Sequence, residues 1–158
     1  MATNNITRLL DIKKIPYTVF DLPPEKLGAR DTAQILDVPL EQVFKTIVVR
    51  RENKGKLILA VVPGSVEVDL KLLAKVLGEK KLHLPTEREA EQLTGLQAGG
   101  ISPLALMNKG FQVVLDSSAQ EFREIHISGG RRGLNIRLPV EAFVSLTNAR
   151  VESITSLP

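Results

Sequence analysis

Cysteine is absent from the 158-residue chain. Disulfides, a thiol nucleophile and a thiolate metal site are therefore excluded. Tryptophan is absent too, and aromatics make up 4% of the residues, too few to build broad stacking platforms for single-stranded nucleic acid. Histidine occurs only at His83 and His126, which argues against a histidine-rich metal centre. No apolar run approaches the roughly 20 residues that span a bilayer, and no basic-then-apolar leader pattern opens the sequence. A cytoplasmic protein with no membrane association is expected.

What remains is ordinary for a globular chain: 43% hydrophobic residues, 25% charged residues and a formal net charge of +3. The length suits one domain, here 1–158, with a real core. The mild positive balance is compatible with a polyanionic partner and does not require one.

The pattern along the chain alternates short helices and strands. Asn5 or Thr3 caps a first helix from Ile6 to Lys13, which Pro16 ends. Tyr17 to Leu22 reads as a strand, and Asp31 caps a helix over Thr32 to Leu36. Val43 to Arg50 is the clearest strand and reads as buried on both faces. A turn at Asn53-Lys54-Gly55-Lys56 returns it as Leu57 to Val62. Asp69 and Gly78 bracket a helix over Leu70 to Leu77, and Thr86 with Glu89 forms a capping box for another. Further strands are expected at Lys81 to Leu84, Phe111 to Leu115, Phe122 to Ser128 and Leu134 to Leu138. Pro139 then opens a helix over Val140 to Leu146, and Val151 to Pro158 is a short strand or a tail. The fold class is α+β, with a central mixed, curved, barrel-like sheet surrounded by helices.

Three stretches stand out chemically. Thr94-Gly95-Leu96-Gln97-Ala98-Gly99-Gly100-Ile101-Ser102-Pro103 places paired glycines before a Ser-Pro. Such a loop either presents main-chain groups to a small polar ligand or simply joins helix to strand. Lys45 sits in the most apolar strand, where its ammonium either holds a ligand oxygen in a pocket or snorkels to the surface. Ser128-Gly129-Gly130-Arg131-Arg132-Gly133 is either an anion-binding nest with arginine forks or a glycine-rich hairpin. Asp116 is an orienting carboxylate or a turn cap. His126 reads as structural and His83 as superficial. No nucleophile elbow, Walker loop, triad or metal site emerges.

Together these stretches resemble the YbaK/ProX family of aminoacyl-tRNA editing domains. The resemblance rests on Phe44-Lys45-Thr46, on Thr94-Gly95 with Gly99-Gly100-Ile101-Ser102-Pro103-Leu104, and on Ser128-Gly129-Gly130 with Arg132-Gly133-Leu134. Gln120-Glu121-Phe122 and Leu70-Lys71-Leu72-Leu73-Ala74-Lys75 also fit, in the same order and at similar spacing. It implies a barrel-like fold and cleavage of the ester joining a wrong amino acid to its tRNA. The branch it is most similar to clears cysteine from tRNA(Pro) in trans, and the strand lysine there is tied to activity. By that resemblance Lys45 is the catalytic residue. Phe20, Thr46, Gly99, Gly100, Ile101, Ser102, Ser128, Gly129 and Asn135 bind substrate, while Arg131, Arg132, Lys80 and Lys81 hold tRNA. Misacylated tRNA is the implied partner, with prolyl-tRNA synthetase a second, and no cofactor is implied. Two alternatives share the pocket: a deacylase for another small amino acid such as alanine, and a non-catalytic module gripping an aminoacyl or nucleotide-like ligand or a synthetase. Three positions depart from the family pattern. Phe20 and Leu96 stand where tyrosine is frequent, and Asn135 stands where an acidic residue is frequent.

Overall fold

The computed structural model describes residues 4–156. In chain order the elements are α1 (Asn5–Ile12), β1 (Thr18–Asp21), α2 (Ala29–Leu36), β2 (Phe44–Arg51), β3 (Ile58–Pro63), α3 (Leu70–Leu77), β4 (Leu82–His83), α4 (Glu87–Thr94), β5 (Gln112–Asp116), β6 (Glu124–Ser128), β7 (Leu134–Pro139), α5 (Val140–Thr147) and β8 (Arg150–Glu152). The strands form two sheets. One is antiparallel with order β1-β7-β6, and the other is mixed with order β4-β2-β3-β5-β8. A single parallel bridge between Val43 and His126 joins them at one corner. The architecture is α+β, as expected, with the curved sheet divided in two.

β3 shows why the chain folds this way. Every residue from Ile58 to Pro63 is buried. Leu59 and Val61 pack with Ile125, Ile127, Ile136, Leu138 and Phe143 in one core. Ile58, Ala60 and Val62 pack with Leu73 and Ala74 of α3 in the other. Alternation along a strand sends successive side chains to opposite faces, so a continuous apolar run requires cover on both sides. The three-stranded sheet with α1 and α5 covers one face, and α3 covers the other.

Most helix ends lie where local chemistry places them. Asp69 accepts hydrogen bonds from the Lys71 and Leu72 amides, Gly78 closes α3 with φ of 72°, and Thr86 and Glu89 form the capping box of α4. Two starts differ from the sequence reading. α1 is capped by Asn4, whose Oδ1 accepts from the Thr7 amide while Thr7 Oγ1 accepts from the Asn4 amide. Asn4 Nδ2 also donates to the Gly129 carbonyl at 2.8 Å, a long-range contact that Asn5 would not make. The alternative cap, Thr3, lies outside the described residues. α2 begins after Gly28, which leaves Asp31 in the first turn, where a carboxylate suits the helix dipole without capping.

Asp116 is a structural latch. It is 2% exposed. Oδ2 accepts from the Ser118 amide at 3.2 Å, and Oδ1 accepts from the Ile154 amide at 3.0 Å. The Asp69 amide donates to the Ile154 carbonyl at 2.7 Å, so the segment after β8 is held from two sides. The strand-or-tail reading of Val151 to Pro158 resolves into β8 and this latched segment, with 157–158 outside the described residues. Replacing Asp116 with alanine strands the buried Ile154 amide. We expect a loss of about 2–3 kcal/mol, the cost of unmade buried hydrogen bonds, measured by urea unfolding.

Candidate functional site

β2 carries hydrogen-bonding neighbours unevenly on its two edges. One edge pairs with β3 from Phe44 to Val49. The other meets β4 only at Arg50 and Arg51, and meets β6 only through the bridge at Val43. Between those points the edge faces a cavity of about 410 Å³ rather than a strand. The Val43 carbonyl accepts from the Gly64 amide on the β3 side. Strand alternation therefore turns the main-chain groups of Thr46 and Val48 toward the cavity. The same gap explains why Lys45, Thr46 and Ile47 are half-buried where the apolar run implied burial on both faces.

The far wall comes from Ser128 at the end of β6 and from Leu134 and Asn135 at the start of β7. Ser128 and Asn135 are register partners, so both side chains leave the sheet on one face. Residues 22–29 and the first turns of α4 form the remaining walls, with Ala98, Gly99 and Ile101 of the glycine loop. Lys26 Nζ and Glu87 Oε2 form an exposed ion pair at 2.5 Å that joins those two walls.

The glycine loop is clamped at Ala98. Glu91 Oε2 accepts from the Ala98 amide at 2.8 Å, and Arg132 Nε donates to the Ala98 carbonyl at 2.7 Å. With both sides of Ala98 held, Gly99 follows at φ of 90°, a conformation that disfavours any side chain. Gly100 serves packing. A Cβ there would lie 2.7 Å from Arg131 Cα and 2.9 Å from its carbonyl carbon, so the two glycine-rich turns touch through bare main chain.

The structure brings Lys45, Thr46, Gly99, Ile101, Ser128 and Asn135 onto one cavity. It leaves four other expected substrate residues off the cavity wall. Gly100 packs on Arg131, and the Gly129 backbone is covered by the Leu134 side chain. Ser102 is fully buried and its hydroxyl accepts from the Leu104 amide, capping the short turn Pro103–Leu106. The Phe20 ring lies tilted against that of His126, with centroids 5.4 Å apart, and 5.5 Å from the Arg137 guanidinium. Of the expected tRNA contacts, Arg131 is exposed, whereas the Arg132 guanidinium is engaged with the loop. Lys80 and Lys81 are exposed before β4, at the end of β2 away from Lys45.

Lys45 is neither sealed nor free. Its side chain is 25% exposed, and Nζ lies 2.9 Å from Oε1 of Glu67, a residue 84% exposed. Sequence reading missed Glu67, which lies 22 residues away in a loop without a local signal. It also missed the Glu91–Ala98–Arg132 clamp.

His126 has no exposed surface, and its Nδ1 lies 2.9 Å from Asn135 Oδ1. Burial holds its pKa below the ordinary 6.5, with Arg137 pushing the same way and Asn135 and Glu124 opposing. The unfolded chain therefore takes up this proton at higher pH than the folded one does. The histidine's contribution is complete above pH 6.5 and is lost as pH falls below it.

Among the described residues no group of three or more His, Asp or Glu is arranged to hold a metal, and no helix is long and apolar enough to cross a membrane.

Comparison with known proteins follows this geometry. Residues 23–146 match the family described as the aminoacyl-tRNA editing domain. A protein of Enterococcus faecalis, provisionally named a Cys-tRNA(Pro)/Cys-tRNA(Cys) deacylase, is 36% identical over 154 residues, covering 96% of this chain and 93% of the relative. The proline–tRNA ligase of Staphylococcus saprophyticus is 28% identical over 109 residues, which are 68% of this chain and 18% of the ligase. Two solved structures share the fold. A hypothetical protein superposes with a TM-score of 0.87 at 20% identity, covering 97% of this chain and 100% of that one. A protein provisionally titled a trans-editing enzyme for prolyl-tRNA synthetase superposes at 0.81 with 23% identity, covering 99% of this chain and 100% of that one.

Two outcomes are expected from this geometry. Gly100→Ala forces the two glycine-rich turns apart and costs about 1–3 kcal/mol by thermal unfolding, as overpacking does. Wild-type stability falls as pH drops from 7 to 5, and His126→Gln removes the part of that slope that begins at 6.5.

Proposed function

The chain belongs to the aminoacyl-tRNA editing family, and we propose that it is a trans-editing deacylase for misacylated tRNA, with Cys-tRNA(Pro) as its substrate. The observation that carries this reading is convergence. The strand lysine, the clamped glycine loop and the Ser128–Asn135 pair are far apart in sequence yet line one cavity of about 410 Å³. That volume falls in the usual range for a small-molecule site, about 300–1,000 Å³, and suits an amino acid on its terminal ribose. In this reading residues 1–158 act as one editing domain in the cytoplasm.

Lys45 supplies the positive charge. As the ester enters, its ammonium exchanges Glu67 for the substrate and either polarises the ester carbonyl or holds the terminal phosphate. The main chain at Thr46, Val48 and Gly99 meets the remaining polar atoms of the aminoacyl end. These groups are fixed before substrate arrives, and donors of that kind favour a transition state in which negative charge develops.

No cysteine exists in the chain, and the serines placed near the cavity have no partner base. Ser128 Oγ accepts from the Gly130 amide, and Ser102 is buried in a turn. A covalent enzyme intermediate is therefore disfavoured. Two attacking groups remain. Water hydrolyses the ester directly. Alternatively the substrate's own cysteine sulfur attacks its carbonyl carbon. In that route the C–S bond forms as the ester C–O bond breaks, the leaving ribose oxygen takes the thiol proton, and the amino acid departs as a cyclic thioester. The second route makes the reaction a lyase and needs only positioning from the protein. The exposed Arg131, whose backbone packs on Gly100, and Lys26, once released from Glu87, offer phosphate contacts for the acceptor end, and binding weakens as salt rises.

The test is deacylation of Cys-tRNA(Pro) and Ala-tRNA(Pro) by wild type and Lys45→Ala. We expect wild type to clear Cys-tRNA(Pro) and the variant to lose about 10²–10³-fold in kcat, the scale of one removed transition-state donor. Equal loss of both substrates in wild type assigns the attack to water. Clearance of only the cysteinyl ester assigns it to the substrate thiol. A wild type inactive on every misacylated tRNA refutes the enzyme reading in favour of a binding module.

A further inference from the structure

The His126–Asn135 contact settles which way the Asn135 side-chain amide points. A neutral imidazole carries one hydrogen on its two ring nitrogens. Nε2 of His126 is buried and has no partner, whereas Nδ1 lies 2.9 Å from Asn135 Oδ1. A hydrogen on Nε2 would leave a donor sealed without an acceptor. A bare Nε2 leaves only an unused acceptor, and orphaned buried donors are the rarer case. The hydrogen therefore sits on Nδ1 and is donated to Oδ1. The surroundings hold the ring in place. Phe20 packs on it at 5.4 Å, and the His126 backbone bridges to Val43.

With Oδ1 committed, planarity turns Asn135 Nδ2 away from the histidine. Asn135 lines the cavity and His126 does not, and Nδ2 has no hydrogen-bond partner among the described residues. Its register partner Ser128 accepts from the Gly130 amide at 3.3 Å, which leaves the hydroxyl hydrogen free to donate. This wall thus offers two donors side by side, and Lys45 adds a third across the cavity.

We propose that His126 is a positioning residue for substrate recognition: it locks the Asn135 amide nitrogen toward the cavity, so the substrate is gripped there through an oxygen acceptor and not through its ammonium group. The proposal rests on the reading of this cavity as the aminoacyl-ester site. The group that fits is the ester carbonyl or a ribose oxygen. A carboxylate in place of Asn135 would present the opposite polarity to the same atom.

Two measurements decide it. Long-range ¹H–¹⁵N correlation on the free protein reads the His126 tautomer. Hydrogen on Nδ1 is expected, and hydrogen on Nε2 overturns the proposal. Titration with the amide-linked analogue 3′-cysteinylamino-3′-deoxyadenosine then compares variants. Asn135→Asp is expected to weaken binding by about tenfold or more, the scale of one lost hydrogen bond made repulsive, without lowering Tm. His126→Phe, which keeps a ring against Phe20 but removes the donor, should raise KM for Cys-tRNA(Pro) more than it lowers kcat. If that variant does not fold, Asn135→Asp carries the comparison alone. Unchanged analogue affinity in Asn135→Asp overturns the proposal while wild-type deacylation leaves the editing reading intact. A wild type that neither binds the analogue nor deacylates removes the editing reading and the recognition claim together, whatever the tautomer.

Discussion

Everything at the site depends on an unpaired strand edge. β2 is a central strand by position and half an edge strand by hydrogen bonding. Its second edge is satisfied at Val43 and again at Arg50, and between them it opens on a cavity. Exposed strand edges are a liability, because their free N–H and C=O groups invite pairing with other chains. Here residues 22–29 and the first turns of α4 stand over the edge, so it meets a walled space of limited volume. A ligand that enters finds main-chain groups already aimed, with little left to reorganise.

The opposite wall is held with comparable stiffness by different means. Ala98 has its amide taken by Glu91 and its carbonyl taken by Arg132. Gly100 presses against the backbone of Arg131, and Asn4 ties the start of α1 to Gly129. These contacts bind the two glycine-rich turns into one unit. The glycines therefore divide their labour: Gly99 presents backbone to the cavity, and Gly100 lets the turns meet. Arg132 acts as scaffold, which leaves Arg131 as the guanidinium of that pair open to a polyanion.

The sequence was most legible where structure is local. The capping box of α4, the Asp69 and Gly78 ends of α3 and the doubly buried β3 all follow from residues within a few positions of one another. The Lys45, Ser128 and glycine-loop neighbourhood came from resemblance to a family; spacing alone left each stretch with a plain alternative. What stayed hidden was long-range. The Lys45–Glu67 pair spans 22 positions and the Arg132–Ala98 contact 34, and neither leaves a periodic trace. His126 looked structural because it alternates with Ile125 and Ile127, and it is buried with them. Its consequence for Asn135 emerges only when β6 and β7 are in register. Ser102 misled for the opposite reason, since a serine before proline beside paired glycines suits a ligand loop as well as a turn cap, and here it caps.

The account's central claim is spatial: the aminoacyl end sits between the open edge of β2 and the backbone of Gly99. A crystal structure with 3′-cysteinylamino-3′-deoxyadenosine tests it directly. The account predicts the cysteinyl group within hydrogen-bonding distance of the Thr46 or Gly99 main chain, with the Lys45 ammonium turned from Glu67 toward the ligand. Ligand bound elsewhere on the protein, with the Lys45–Glu67 pair intact and the cavity empty, would contradict it.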